Sequence, residues 1–105
     1  MIEARQEARA GWLVVAVSGR ADAETADELE FALRSAVGEH PKVAADFRAL
    51  TYISSAGLRA VLQAARAAQA QNREFAVCGV SAPVKRVFDM SGIEHVLIIH
   101  GELPC

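Results

Sequence analysis

Positive charge is not in excess: 11 Lys and Arg stand against 13 Asp and Glu, a formal net charge of −2, with both signs spread along the chain. A nucleic-acid-binding protein is expected to present a clustered basic face, so that class of function is excluded here. The same even spread leaves no polybasic or amphipathic membrane anchor. Long apolar runs are missing too, and none approaches the ~18 residues that a bilayer-spanning helix requires. Glu3 and Arg5 near the N-terminus argue against a secretory signal peptide, so the expected location is the cytoplasm. Cysteine is scarce. Cys78 and Cys105 fit no zinc or redox spacing, and a disulfide framework is not expected. Cys78 ends the apolar run Phe75-Ala76-Val77-Cys78 and reads as a small buried hydrophobe. His40, His95 and His100 do not cluster at metal-ligand spacing, and the last two would point to opposite faces of a strand, so no metal site is expected. Phosphate-binding and dinucleotide fingerprints are absent, as is any nucleophile–base constellation. These absences describe a protein that is not an enzyme and needs no cofactor.

What is present is enough apolar material for one core. The 105 residues are 52% apolar, with alanine prominent, which fits one domain over residues 1–105 with helices packed closely on a sheet. Residues 2–9 and 12–18 read as strands joined by a tight turn at Ala10-Gly11. The run Trp12-Leu13-Val14-Val15-Ala16-Val17 is continuously apolar, as in a strand covered on both faces. Thr25 and Glu28 have the spacing of a capping box. Leu29, Leu33 and Ala36 with Ala26 and Val37 form a helical stripe, which Gly38 and Pro41 are expected to end. Residues 43–47 read as an inner strand, and residues 50–53 close a loop before a second helix that carries Leu58, Val61, Leu62 and Ala65 on one face. Residues 75–80 read as a third buried strand. A third helix opens at Ser81-Ala82-Pro83 and stops at Gly92. A last strand over 96–99 leaves 101–105 as a tail. The order β-β-α-β-α-β-α-β implies an α/β fold: a mostly parallel sheet with one antiparallel N-terminal strand at its edge.

The chemistry is concentrated in Tyr52-Ile53-Ser54-Ser55-Ala56-Gly57-Leu58-Arg59, where a strand passes through a short loop into a helix. In open α/β sheets, ligands and modifications gather at the carboxyl ends of strands. A helix start also offers free N–H groups and the positive end of a dipole, so a phosphate on Ser55 would be stabilised there. The plain alternative is that Ser54 or Ser55 only caps the helix, because Ser is among the best N-caps. Gly57 is expected to leave the backbone near the serines unencumbered.

This segment resembles the phosphorylation loop of the STAS-domain anti-sigma factor antagonists. Val17-Ser18-Gly19-Arg20-Ala21-Asp22 with Thr25 is similar to the family's turn into its first helix. Val84-Lys85-Arg86-Val87-Phe88-Asp89-Met90-Ser91-Gly92 is similar to its late helix. The likeness runs in order over nearly the whole chain and implies a STAS fold. In the family the phosphoacceptor is the first serine of an Asp-Ser-Ser/Thr-Gly motif. Aligning the glycine on Gly57 places Ala56 at the third position, Ser55 at the acceptor and Ser54 where the aspartate stands, with Ser54 as the alternative acceptor. The resemblance implies a partner switch. The unphosphorylated protein binds an anti-sigma factor, which is also its serine kinase, and so frees a sigma factor. Phosphorylation breaks that complex and a serine phosphatase restores it. The implied partner-binding residues are Asp22, Ser54, Ser55, Ala56, Gly57 and Arg59.

Asp22 stands near the loop in the family, but could equally cap the first helix. Asp46 reads mainly as a structural acceptor for backbone N–H groups, and Lys85-Arg86 as solvated helix charge. Glu30 and Gln63 are assigned to solvent-facing helix surface. The alternative function is a STAS scaffold subunit, never phosphorylated, within a signalling or lipid-transport complex.

Overall fold

The computed structural model describes residues 1–90, with the backbone alone for residues 91 and 98–100. The strands are β1 (Ile2–Arg9), β2 (Trp12–Ala21), β3 (Lys42–Ile53), β4 (Glu74–Cys78) and β5 (Ile98–His100), and the helices are α1 (Ala26–Glu39), α2 (Ser55–Ala70) and α3 (Ala82–Ser91). Among the described residues they make one five-stranded sheet in the order β1-β2-β3-β4-β5. β1 is the antiparallel edge and every other pairing is parallel, as the alternation of strands and helices requires. The expected stop at Gly92, the start of the last strand at 96–97, His95, Cys105 and the tail at 101–105 lie outside the described residues.

Alternate residues of the inner strands (Val15 and Val17, Val43, Ala45 and Phe47, Phe75 and Val77) share one core with Leu29 and Leu33 of α1, Val61 of α2, and Val84 and Phe88 of α3. The three helices therefore cover a single face of the sheet. Phe47 and Phe88 meet edge to face, with ring centroids 6.4 Å apart, and tie α3 to the central strand. The residues of opposite parity, Trp12, Val14, Ala44, Ala76 and Cys78, form a smaller cluster on the other face.

Several boundaries differ from the sequence reading, each for a local reason. β2 runs on to Ala21, and β3 spans both expected pieces as one strand. The β2–β3 register shifts between Ala16 and Ser18, where Phe47 and Arg48 of β3 lie between Asp46 and Ala49. The bulge lets both Phe47 and Leu50 face the helices and breaks the period-2 pattern that a sequence reading follows. α1 continues through Gly38. It ends where His40, the residue before Pro41, is extended at φ −142 and ψ 139, because a proline disfavours helical backbone in its predecessor. α2 buries Ala60, Ala64 and Ala68 beside Leu58 and Val61, while Leu62 and Ala65 are only partly covered. The small residues allow α1 to approach closely. α2 closes with Asn72 at φ 56, Arg73 N–H on Ala68 O at 2.8 Å and Asn72 N–H on Gln69 O at 3.2 Å. This is the double bond pattern of a Schellman motif. Arg73 then donates from Nη1 to Val37 O at 2.6 Å, so the same residue satisfies a carbonyl near the end of α1.

Cys78 is fully buried, as a small hydrophobe should be. It is nevertheless disulfide-bonded, which corrects the expectation of no disulfide.

Candidate functional site

β2 and β3 end side by side. Ala21 pairs with Ile53, and Ser54 N–H donates to Ala21 O at 2.8 Å. The turn beginning at Asp22 and the loop beginning at Ser54 therefore leave the sheet as neighbours, one entering α1 and the other α2. Thr51 Oγ1 donates to Gly19 O at 3.0 Å and holds the two strand ends together. The Arg20 guanidinium lies 4.3 Å from the centroid of the Tyr52 ring.

The two serines divide the roles that sequence spacing left open. Ser54 is the N-cap. Its backbone is extended at φ −95 and ψ 177, and its Oγ accepts from Gly57 N–H at 3.3 Å. Ser55 is the first helical residue; it is exposed, and its hydroxyl makes no hydrogen bond among the described residues. The N–H groups of Ser55 and Ala56 have no acceptor within the helix, as at any helix start. Ala56 is half-buried and Arg59 exposed.

Gly57 is buried for a reason different from the expected one. A Cβ there would stand 2.8 Å from Ala21 O and 2.8 Å from Ile53 Cγ1. The glycine lets the first turn of α2 lie against the end of β2, which fixes where Ser55 sits.

The capping box at the start of α1 is present but displaced by three residues. Thr25 makes no side-chain cap bond to the helix. Instead Asp22 Oδ1 accepts from Glu24 N–H at 3.0 Å and Thr25 N–H at 3.2 Å, while Thr25 Oγ1 accepts from Asp22 N–H at 2.9 Å. Asp22 and Thr25 thus satisfy each other's backbone as the two ends of a box do. Thr25 Oγ1 also donates to Arg20 O at 2.7 Å, which anchors the turn to β2. Desolvation works to raise the Asp22 pKa. The bonds from Glu24 N–H, the Thr25 hydroxyl and Thr25 N–H outweigh it and hold the carboxyl below its ordinary 3.8. A carboxylate held down in this way stabilises the fold above its unfolded pKa, and that contribution fades as pH falls through the lower folded value. Asp22→Ala should therefore lower the thermal midpoint at pH 7. The gap from wild type should narrow under acid conditions, below the usual carboxylate range. Melting curves followed by circular dichroism across pH check this, and a gap that widens in acid would refute it.

Between α1 and α2 runs a groove lined by Ala26, Asp27 and Glu30 on one side and by Ser55, Arg59 and Ala60 on the other. Ser55 and Arg59 are thus brought together, whereas Asp22 stands at the adjoining strand end with its carboxylate engaged in its own turn. Sequence reasoning missed Asp27 and Glu30. Glu30, assigned above to open solvent, lines the groove and pairs with Arg34 at 3.1 Å. Its position one helical turn after Asp27 was the available signal. Asp46 accepts from Arg48 N–H at 3.0 Å, a structural use. Lys85 pairs along α3 with Asp89 at 3.3 Å, as solvated helix charge does.

The family described as "Mlab, STAS domain" matches residues 4–99. A Bordetella bronchiseptica protein, BtrV, named as a candidate anti-sigma factor antagonist, is 37% identical over 84 residues, 78% of this chain and 72% of its own. The anti-sigma F factor antagonist of Paenibacillus polymyxa is 29% identical over 103 residues, 94% of this chain and 86% of its own. A crystal structure of an anti-sigma factor antagonist from Mycobacterium paratuberculosis superposes with a TM-score of 0.82 at 25% identity, covering 98% of this chain and 88% of the other.

Proposed function

The chain belongs to the STAS-domain family of anti-sigma factor antagonists, and from that premise we propose that it is a cytoplasmic partner-switch regulator controlled by phosphorylation of Ser55. It is a substrate of enzymes and not itself one. The unphosphorylated form binds an anti-sigma factor that is also a serine kinase, and so relieves inhibition of a sigma factor. The kinase ends the complex by phosphorylating Ser55, and a serine phosphatase restores the binding form.

The observation that carries this reading is the division of labour between the serines. Ser54 caps α2 through its own Oγ, which leaves the exposed Ser55 hydroxyl free to be modified without loss of the cap. The same geometry accounts for Ser54 at the place of the family's aspartate, since Asp and Ser rank together as N-caps. A phosphate on Ser55 brings about −1.5 to −2 charges to a groove whose far wall already carries Asp27 and Glu30.

Incubation with a cognate serine kinase and ATP should add one phosphate, read as an intact-mass increment and placed on Ser55 by peptide mapping. The serine phosphatase should remove it. Ser55→Ala should stay unlabelled. Equal labelling of Ser55→Ala, or a phosphate mapped to Ser54, would overturn the site assignment. A chain that no such kinase labels would favour the scaffold alternative.

A further inference from the structure

The groove holds one cation on the same wall as Ser55. Arg59 lies one helical turn after Ser55, both line the groove, and Arg59 makes no ion pair among the described residues. We propose that Arg59 is the internal receptor of the Ser55 phosphate: on modification its guanidinium closes along α2 onto the phosphate and is withdrawn from any partner it contacts. This rests on Ser55 being the modified residue.

Residues four apart on a helix have neighbouring side chains, and an acidic group on the N-terminal member is the favoured orientation of such a pair. The planar guanidinium matches a phosphate with two parallel N–H donors, which an ammonium cannot do. The facing wall makes the choice of direction. Asp27 and Glu30 repel a phosphate from α1, and Arg34, the cation beside them, is already engaged with Glu30. Asp22, in the turn before α1, gives its carboxylate to Glu24 and Thr25. Among the described residues Arg59 is the one cation lining the groove, and it stands beside the free N–H groups at the start of α2. Modification thus converts the Ser55–Arg59 edge from about +1 to between about −0.5 and −1 charge at neutral pH. A partner carboxylate seated on Arg59 would lose its ligand in the same event.

The test uses the full chain with phosphoserine introduced at position 55 during synthesis, so that no kinase is needed. The phosphorus-31 chemical shift is followed against pH at low salt. Arg59→Ala should raise the apparent second pKa of the phosphate by about 0.2–0.4, the size expected of one ion pair between neighbouring turns of a helix. Arg59→Lys should recover part of that difference, and Asp27→Asn should move the value in the opposite direction from Arg59→Ala. Arg66→Ala, further along α2 and exposed, should leave it unchanged. A phosphate that titrates alike with and without Arg59, or that responds as strongly to Arg66→Ala, would overturn the proposal. Failure of the kinase to label Ser55 would be a separate result, against the switch and not against this contact.

Discussion

Replacing Gly57 with alanine should destabilise the protein, although alanine is the better helix former. The added methyl would meet the Ala21 carbonyl and Ile53 Cγ1, each at 2.8 Å. Overpacking of this kind costs about 1–3 kcal/mol. The carbonyl cannot easily retreat, because it accepts the Ser54 N–H that sets the start of α2. Helix propensity returns up to about 1 kcal/mol, so a net loss of about 1–2 kcal/mol is expected. For a domain of this size that corresponds to a melting temperature lower by roughly 5–15 °C. Gly38 supplies the internal comparison. It also lies inside a helix, but a Cβ there meets nothing within 4 Å. Gly38→Ala should therefore stabilise by up to about 1 kcal/mol. Two glycine-to-alanine changes in helices, with opposite signs, separate close approach from propensity. If both raised the melting temperature, the account of Gly57 would be wrong. Because the clash sits beneath the Ser54-Ser55 loop, Gly57→Ala should also slow phosphorylation of Ser55 while leaving the hydroxyl itself intact.

The elements that sequence reading found most readily are those whose burial pattern is simple. The first six residues of β2, Trp12 to Val17, are apolar because Val15 and Val17 face the helices while Trp12 and Val14 join the smaller cluster on the opposite face, and α1 has one stripe at Leu29, Leu33, Ala36 and Val37. The order of elements then settled the edge position of β1. β3 was harder, because the bulge at Phe47 and Arg48 replaces alternation with a three-residue step from Phe47 to Leu50. Capping was legible as chemistry but not as register. Asp22, Thr25 and Glu28 offer two overlapping boxes, and only the hydrogen bonds to Glu24 and Thr25 decide between them. The serine pair posed the same problem. Either residue could cap α2, and the choice depends on where β3 stops, which is set by the pairing of Ala21 with Ile53. The acidic wall of the groove was hidden for another reason. Asp27 and Glu30 look like solvent on a helical wheel, and they become part of the site only when α1 packs beside α2.

The remaining expected result concerns binding, and it follows from the free hydroxyl of Ser55 and the charges around it. Phosphorylated protein should bind the anti-sigma partner about a hundredfold more weakly than unmodified protein, a change that needs only ~2.7 kcal/mol. Like charge brought against a partner surface, with desolvation of the phosphate, is sufficient without any rearrangement of the fold. Ser55→Ala should bind within about threefold of the unmodified chain, because the hydroxyl holds no structural bond and exposed substitutions usually stay within about 0.5 kcal/mol. Ser55→Asp should fall between the two, since one carboxylate carries less charge than a phosphate. It should melt within a few degrees of wild type, because the cap belongs to Ser54. Asp22→Ala should weaken binding by loosening the turn beside the site. The proper control is Gln63 on α2, outside the groove lining; Glu30, which lines the groove, is unsuitable. Titration calorimetry with a purified partner puts all of these on one scale. If Ser55→Ala, Ser55→Asp and the phosphorylated chain bound with equal affinity, the charge at position 55 would not be what the partner reads. The chain would then act as a scaffold whose exposed serine is incidental.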